Sequence, residues 1–224
     1  MSTLYVVATP IGNLSDMTFR AVEILSCVDL ILSEDTRETD KILKHYNIQK
    51  PQISYRDQNH ERVLPRIYET LDSGKEVALV SDSGTPTISD PGFKLVSSVI
   101  DKGYKVLPIP GPSAIVSALS ISGLPTDKFT FLGFLPRGAN QIKELLETYG
   151  KLEATLVVYE SPYRVKTLLH TIYDVLGNRK VCLAKDMTKM FEDIRTADIE
   201  EILRTEDQIV EKGEYVVLIA KEGF

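Results

Sequence analysis

The sequence predicts an α/β protein of two domains, residues 1–112 and 113–224, each built around a mostly parallel sheet. Short apolar, β-branched runs such as Val77-Ala78-Leu79-Val80 alternate with segments in which apolar residues recur at helical spacing. Runs of that length without polar interruption suit buried strands with helices on both faces. The alternation breaks at Pro108-Ile109-Pro110-Gly111-Pro112-Ser113-Ala114, a stiff, sharply turned crossing that marks the domain junction.

The first strand is Leu4 to Ala8, followed by the loop Thr9-Pro10-Ile11-Gly12-Asn13-Leu14 and a helix with Ala21, Val22, Leu25 and Val28 on one face. Asp29 to Ser33 is the second strand, and it ends in four polar residues, Glu34-Asp35-Thr36-Arg37. As a solvated turn with a local Asp–Arg pair these would be unremarkable; at a strand end they could equally face a ligand. A short helix runs through Ile42 and Leu43, a third strand spans Gln52 to Tyr55, and the next helix reaches Leu71 and stops at Gly74, with Pro65 in its first turns or kinking it. Strand 77–80 leads into Ser81-Asp82-Ser83-Gly84-Thr85-Pro86-Thr87-Ile88-Ser89-Asp90-Pro91-Gly92, longer than a plain strand-to-helix connection. Asp90 reads as the N-cap and Pro91 as the first position of a helix carrying Leu95, Val96, Val99 and Ile100, ended by Gly103. Lys105 to Leu107 is the fifth strand. Ser113 is placed to cap a helix from Ala114 to Leu119 that is small and apolar on all sides, hence buried.

In the second half, strands are expected at 129–134, 155–159, 181–184, 191–196 and 215–220. The helices are expected through Ile142, Leu145 and Leu146; from Ser161-Pro162 along Val165, Leu168, Leu169, Ile172, Val175 and Leu176 to Gly177; and from Ile199 to Leu203.

Composition narrows the functional classes. The 224 residues suffice for a sizeable core, and a net charge of -6 argues against a general nucleic-acid coat protein without excluding a local basic groove. The apolar run at the N-terminus is too short for a membrane span and lacks the basic flank of a signal peptide. Cys27 and Cys182 are isolated in apolar runs, as buried thiols in a reducing compartment would be. His45, His60 and His170 have no metal-ligand spacing. The expectation is a cytoplasmic protein with no metal and no membrane partner.

Glycine-rich dinucleotide and triphosphate loops are absent, as is a nucleophile elbow. What remains is a set of Pro/Gly-rich loops at strand ends, 9–14, 81–92, 108–114, 134–138 and 159–163, suited to presenting backbone groups to a compact polar ligand. Asp82 could accept hydrogen bonds from an amine or a ribose hydroxyl. The residues alone lead to a small-molecule transferase.

Thr9-Pro10-Ile11-Gly12-Asn13-Leu14, Glu34-Asp35-Thr36-Arg37, Ser81 to Pro86 with Ser89 to Gly92, Pro110 to Ala114, Gly133-Phe134-Leu135-Pro136, Tyr159-Glu160-Ser161 and Thr188-Lys189 occur in one order and spacing. Together they resemble the ribosomal RNA small-subunit methyltransferase I family of the tetrapyrrole methylase superfamily. The resemblance implies two α/β domains, the first mostly parallel and the second with a mixed sheet, and S-adenosyl-L-methionine in the cleft between them, usually in a homodimer. It implies 2′-O-methylation of a cytidine, number 1402, in 16S rRNA of the small ribosomal subunit. Carried over, cofactor contacts come from Pro10, Asp82, Ser83, Gly84, Thr85, Pro86, Ser113, Ala114 and Tyr159.

In-line attack on a sulfonium methyl depends mostly on positioning, helped by a base or cation beside the ribose hydroxyl. The candidates at polar strand ends are Glu34, Asp35, Arg37, Glu160, Lys185 and Lys189; each could instead be an ion pair or an RNA phosphate contact. Three departures bear on RNA binding more than on the cofactor. The chain stops just after its last strand, where many relatives continue with a basic helical segment. The loop Arg137-Gly138-Ala139-Asn140-Gln141 is poor in basic residues, and Arg56-Asp57-Gln58-Asn59-His60-Glu61 replaces a His-Glu-His-Asn-Glu-like stretch. A same-fold methyltransferase acting on a tetrapyrrole or other small molecule, and a non-catalytic adenosine- or ribosome-binding module, are the alternatives.

Overall fold

The computed structural model describes residues 2–224 and divides into two compact units, Met1–Ser113 and Ala114–Phe224. In the first unit the strands are β1 (Thr3–Val7), β2 (Leu30–Ser33), β3 (Gln52–Ser54), β4 (Val77–Val80) and β5 (Lys105–Ile109), all parallel in the order β3-β2-β4-β1-β5. The intervening helices are α1 (Phe19–Cys27), α2 (Thr36–His45), α3 (His60–Asp72) and α4 (Phe93–Asp101).

Strand alternation sorts the core into two layers. Ala78 and Val80 join Ala21 and Leu25 of α1 and Ile42 and Leu43 of α2. Val77 and Leu79 join Ile67 and Leu71 of α3 and Leu95 and Val99 of α4. Both faces are covered, which is why β4 reads as an unbroken apolar run. The chain therefore leaves β1 and β2 toward one face and β4 toward the other, while β4 lies between β1 and β2. Such a reversal opens a crevice at the carboxyl ends of those strands, where α/β sheets take ligands.

Several expectations need correction here. β5 extends through Pro108, tolerated because β5 is the sheet edge and a missing donor on the open side breaks no ladder. Helix α4 starts at Phe93, with Gly92 rather than Asp90 as N-cap, and Pro91 stays outside it. Gly92 is at φ 129, outside any helical path, and its N–H donates to the Asp57 carboxylate at 3.2 Å. Ile100 and Cys27 point to solvent, since each falls on the polar side of its helix. Pro65 lies inside α3.

In the second unit the helices are α5 (Ala114–Ile121), α6 (Ala139–Tyr149), α7 (Val165–Leu176) and α8 (Ile199–Arg204). The strands are β6 (Phe129–Phe134), β7 (Thr155–Glu160), β8 (Lys180–Lys185), β9 (Asp193–Asp198) and β10 (Tyr215–Ile219), in the order β6-β7-β10-β8-β9. β6 and β7 are parallel and every other pair is antiparallel, so this sheet is mixed and not the mostly parallel one that element order suggests. The reason is that β8 and β9 are joined directly, and β10 returns between β7 and β8. One face packs α6, α7 and α8 against Leu156, Val158, Val181, Leu183, Val217 and Ile219. Helix α5 buries Ile115, Ala118 and Leu119 but leaves Val116 and Ile121 exposed, so it is amphipathic in place and not buried all round. Helix α7 begins at Val165 after a turn over 162–164, not at Ser161-Pro162.

Candidate active site

In the first unit, the loops after β1, β4 and β5 are stitched into one seam. Thr9 and Gly84 exchange backbone hydrogen bonds of 2.9 and 3.1 Å. The Thr9 hydroxyl donates to the Ser81 carbonyl at 3.0 Å, and the Ser81 hydroxyl donates to the Gly84 carbonyl at 2.7 Å. The Thr85 hydroxyl reaches the Pro112 carbonyl at 3.1 Å, tying in the third loop. At Gly111 the backbone lies against Ala8, where an added Cβ would meet the alanine methyl at 3.0 Å. Pro10, Gly84 and Pro86 are buried in the seam, Ser83 is exposed, and Ser113 follows Pro112 directly. The predicted cofactor residues of this unit are thus neighbours across three strand ends.

Beside the seam, at the ends of β2 and β4, carboxylates gather. Asp82 accepts the Asp35 N–H at 3.0 Å, which couples the two strand ends. Burial raises the Asp82 carboxyl, opposed by that N–H and reinforced by the charges of Asp35 and Glu38. Burial and then Asp82 raise Glu34, with Arg56 acting against them. Asp90, read from the sequence as a helix cap, is instead pushed up to about 6 by burial and by Glu34 and Asp82. Asp35 caps α2 through the Arg37 N–H at 2.9 Å and pairs with the Arg37 guanidinium, which holds its carboxyl far below the usual range. Glu34 therefore meets Asp82 and Asp90, and Asp35 meets Asp82, while Arg37 and Asp35 satisfy each other.

In the second unit, alternation along β7 separates two predicted residues. Tyr159 lies on the face of Val157, and Glu160 on the helix-covered face of Leu156 and Val158. Tyr159 meets Phe131 and Phe134 edge-on, with ring centroids 4.9 and 5.4 Å away. A β-bulge makes this possible: the register passes from Phe131 opposite Val157 to Gly133 opposite Val158 and Phe134 opposite Tyr159. Without the extra residue, Phe134 would fall on the other face. Gly133 takes φ 66 there, a left-handed value that suits glycine. A glycine inside a strand pattern is the sequence signal for such a bulge, and Phe131 and Phe134 were reachable from it.

Glu160 is 3% exposed; one oxygen accepts the Ser161 N–H at 2.8 Å and the other lies 3.4 Å from Arg164. Burial raises its carboxyl against both partners. Arg164 also donates to the Pro136 carbonyl at 2.6 Å and to the Leu135 carbonyl at 3.4 Å, binding the loop after β6 to the loop after β7. Lys185 is buried and donates to Asp186 at 2.8 Å and to the Phe191 carbonyl at 3.1 Å. Burial lifts the Asp186 carboxyl, but Lys185 and the Glu214 N–H outweigh it and hold it below the usual range. Lys189 pairs with Glu214 at 2.7 Å. Glu160 and Lys185 flank Tyr215 on neighbouring strands. Among the described residues no group of three or more His, Cys, Asp or Glu could hold a metal ion, and no helix is long and apolar enough to cross a membrane.

Comparison with known proteins places this architecture. The model of the Tetrapyrrole (Corrin/Porphyrin) Methylases matches residues 3–203. The chain is 45% identical over 221 residues to "Ribosomal RNA small subunit methyltransferase I" of Halalkalibacterium halodurans, covering 99% of this chain and 76% of that protein. The protein of the same name from Vibrio cholerae is 46% identical over 219 residues, covering 96% and 76%. Among solved structures, uroporphyrin-III-C-methyltransferase from Thermus thermophilus superposes with a TM-score of 0.68 at 16% identity, over 98% of this chain and 94% of that one, which is a likeness of fold. With identity of this level along nearly its whole length, the chain belongs to the ribosomal RNA small subunit methyltransferase I family of the tetrapyrrole methylases.

Proposed function

We propose that the chain methylates the 2′-hydroxyl of a ribose, that of cytidine 1402, in 16S rRNA of the small ribosomal subunit, with S-adenosyl-L-methionine as donor. The observation that carries this reading is the three-loop seam beside a half-buried carboxylate. The seam's residues fit the donor by their chemistry. Asp82 has one oxygen engaged by Asp35, and its second takes no hydrogen bond from any described residue, leaving an acceptor for a ribose hydroxyl or an amine. Pro10, Gly84, Thr85, Pro86, Ser113 and Ala114 would hold the donor largely through backbone groups, with Tyr159 as an aromatic contact.

When bound, the donor supplies a methyl group on a sulfonium that departs as a neutral thioether. The chain's own residues then have two tasks: to orient the ribose hydroxyl in line and to take its proton. Glu34 suits the second, because burial and Asp82 raise its affinity for a proton above that of an ordinary carboxylate. Arg37 and Lys189, both paired within the protein, serve better as phosphate contacts than as catalysts. The reading includes a homodimer working in the cytoplasm on assembled subunits.

Labelled donor incubated with purified small subunits, followed by ribose mapping of the product, tests it. Transfer to a tetrapyrrole alone, or donor binding without transfer, would overturn it. With few unpaired cations at the strand ends, binding should have a shallow salt dependence and naked 16S rRNA should be a poor substrate.

A further inference from the structure

Phe134 and Tyr163 are 64% and 75% exposed, at the ends of the neighbouring parallel strands β6 and β7. Exposed apolar side chains gathered on one surface mark interaction sites, whereas single ones do not. The two loops are not independent: the Arg164 side chain, next to Tyr163, is fastened to the carbonyls of Leu135 and Pro136, next to Phe134. Buried Glu160 holds Arg164 from behind. The bulge at Gly133 keeps Phe134 on the face of Tyr159, against whose ring it is fixed edge-on. Charge points the same way. The whole chain is acidic, yet residues 134–138 and 161–164 carry Arg137 and Arg164 and no carboxylate. Exposed rings beside an exposed arginine are the elements with which proteins hold unstacked bases and their phosphates.

We propose that Phe134 and Tyr163 form a stacking surface for an unpaired nucleotide of the substrate RNA, with Arg137 on the adjoining phosphate and Arg164 as the positioning residue that locks the two loops together. The proposal rests on the rRNA methyltransferase reading and assigns these residues to the RNA side of it. Tyr163 bears on KM for the RNA and not on affinity for the methyl donor, whereas Phe134 also supports Tyr159.

The test uses the full chain, purified small subunits and donor calorimetry. Tyr163→Ala and Phe134→Leu should each raise KM for subunits roughly five- to hundredfold, the range expected for loss of one base stack. Phe134→Trp, which keeps a π face, should stay within about threefold of wild type, and Arg164→Lys should raise KM because a single ammonium cannot span both carbonyls. Donor affinity should be unchanged in Tyr163→Ala, and its mass in solution should equal that of wild type. An unchanged KM in Tyr163→Ala and Phe134→Leu would overturn the proposal. So would Phe134→Trp failing as badly as Phe134→Leu. A change in oligomeric mass would overturn it by assigning the rings to a contact between copies. Wild-type protein inert on small subunits would instead sink the parent reading, which distinguishes the two failures.

Discussion

Replacing Gly92 by alanine should unfold the first unit more readily than the same change at Gly103, although both glycines have left-handed φ values, 129 and 86. The backbone strain common to the pair costs about 1–2 kcal/mol. The surroundings differ. A Cβ at Gly103 meets nothing within 4 Å, whereas at Gly92 it comes to 2.7 Å from Leu79 Cδ2 and 3.1 Å from Thr87 Cγ2. Leu79 is 2% exposed and packed between α3 and α4, so it has no room to withdraw. Overpacking of that kind adds about 1–3 kcal/mol. Gly92→Ala should therefore cost about 2–5 kcal/mol and Gly103→Ala about 1–2 kcal/mol. Urea unfolding followed by far-ultraviolet circular dichroism suits a chain without tryptophan. Equal midpoints for the two variants would refute the steric argument. Because Gly92 also donates to Asp57 and ends the loop that begins at Ser81, the seam should loosen with it, and donor affinity should fall in Gly92→Ala alone.

Asp82→Ala should weaken donor binding roughly ten- to hundredfold, the value of a charge-assisted hydrogen bond, and calorimetry showing wild-type affinity in the folded variant would remove Asp82 from the cofactor site. Asp90 has a folded pKa near 6, above its unfolded value, so its contribution to stability is present below pH 4 and lost as pH rises toward 6. Asp90→Asn should accordingly raise the urea midpoint at pH 7.5 and leave it unchanged at pH 4; an equal shift at both would contradict this assignment. Lys185→Met leaves Asp186 without its buried partner and should cost about 3–5 kcal/mol, with part recovered in Lys185→Met/Asp186→Asn; a neutral single variant would show that the pair is not needed.

The legible parts of the fold were those set by local pattern. Strands such as Val77–Val80 declare themselves because both faces are buried and no polar residue interrupts them. The residues alone did not show strand direction in the second unit, because β8 and β10 look like any other apolar runs and the polar β9 carries no direction of its own. Their pairing depends on where the chain returns, which is a long-range choice. Asp90-Pro91 looked like a helix start because Asp and Pro favour those positions. The tertiary demand for Asp90 beside Glu34 and Asp82 and for Gly92 against Leu79 overrode the preference. Of the candidate site residues, Glu34, Asp35 and Asp82 could be proposed from polar strand ends, since their chemistry is written in their residue types. The Arg164 clamp was hidden, because its partners are carbonyl groups, and every residue has one of those.

Both sheets place a late-made strand next to early ones, and this has a consequence for synthesis. β1, made first among the strands of its sheet, is held between β4 and β5, so the first sheet waits for residue 109 before its middle is enclosed. The second sheet waits longer: β10, residues 215–219, lies between β7 and β8, which face each other across a gap until it arrives. At translation rates of about 5–20 residues per second, the first unit has on the order of ten seconds to finish before the second can close. Throughout that interval two edges of the nascent second sheet are open, and open edges pair with whatever strand comes by. The second unit is therefore the part of the chain whose strand edges stay open longest during synthesis.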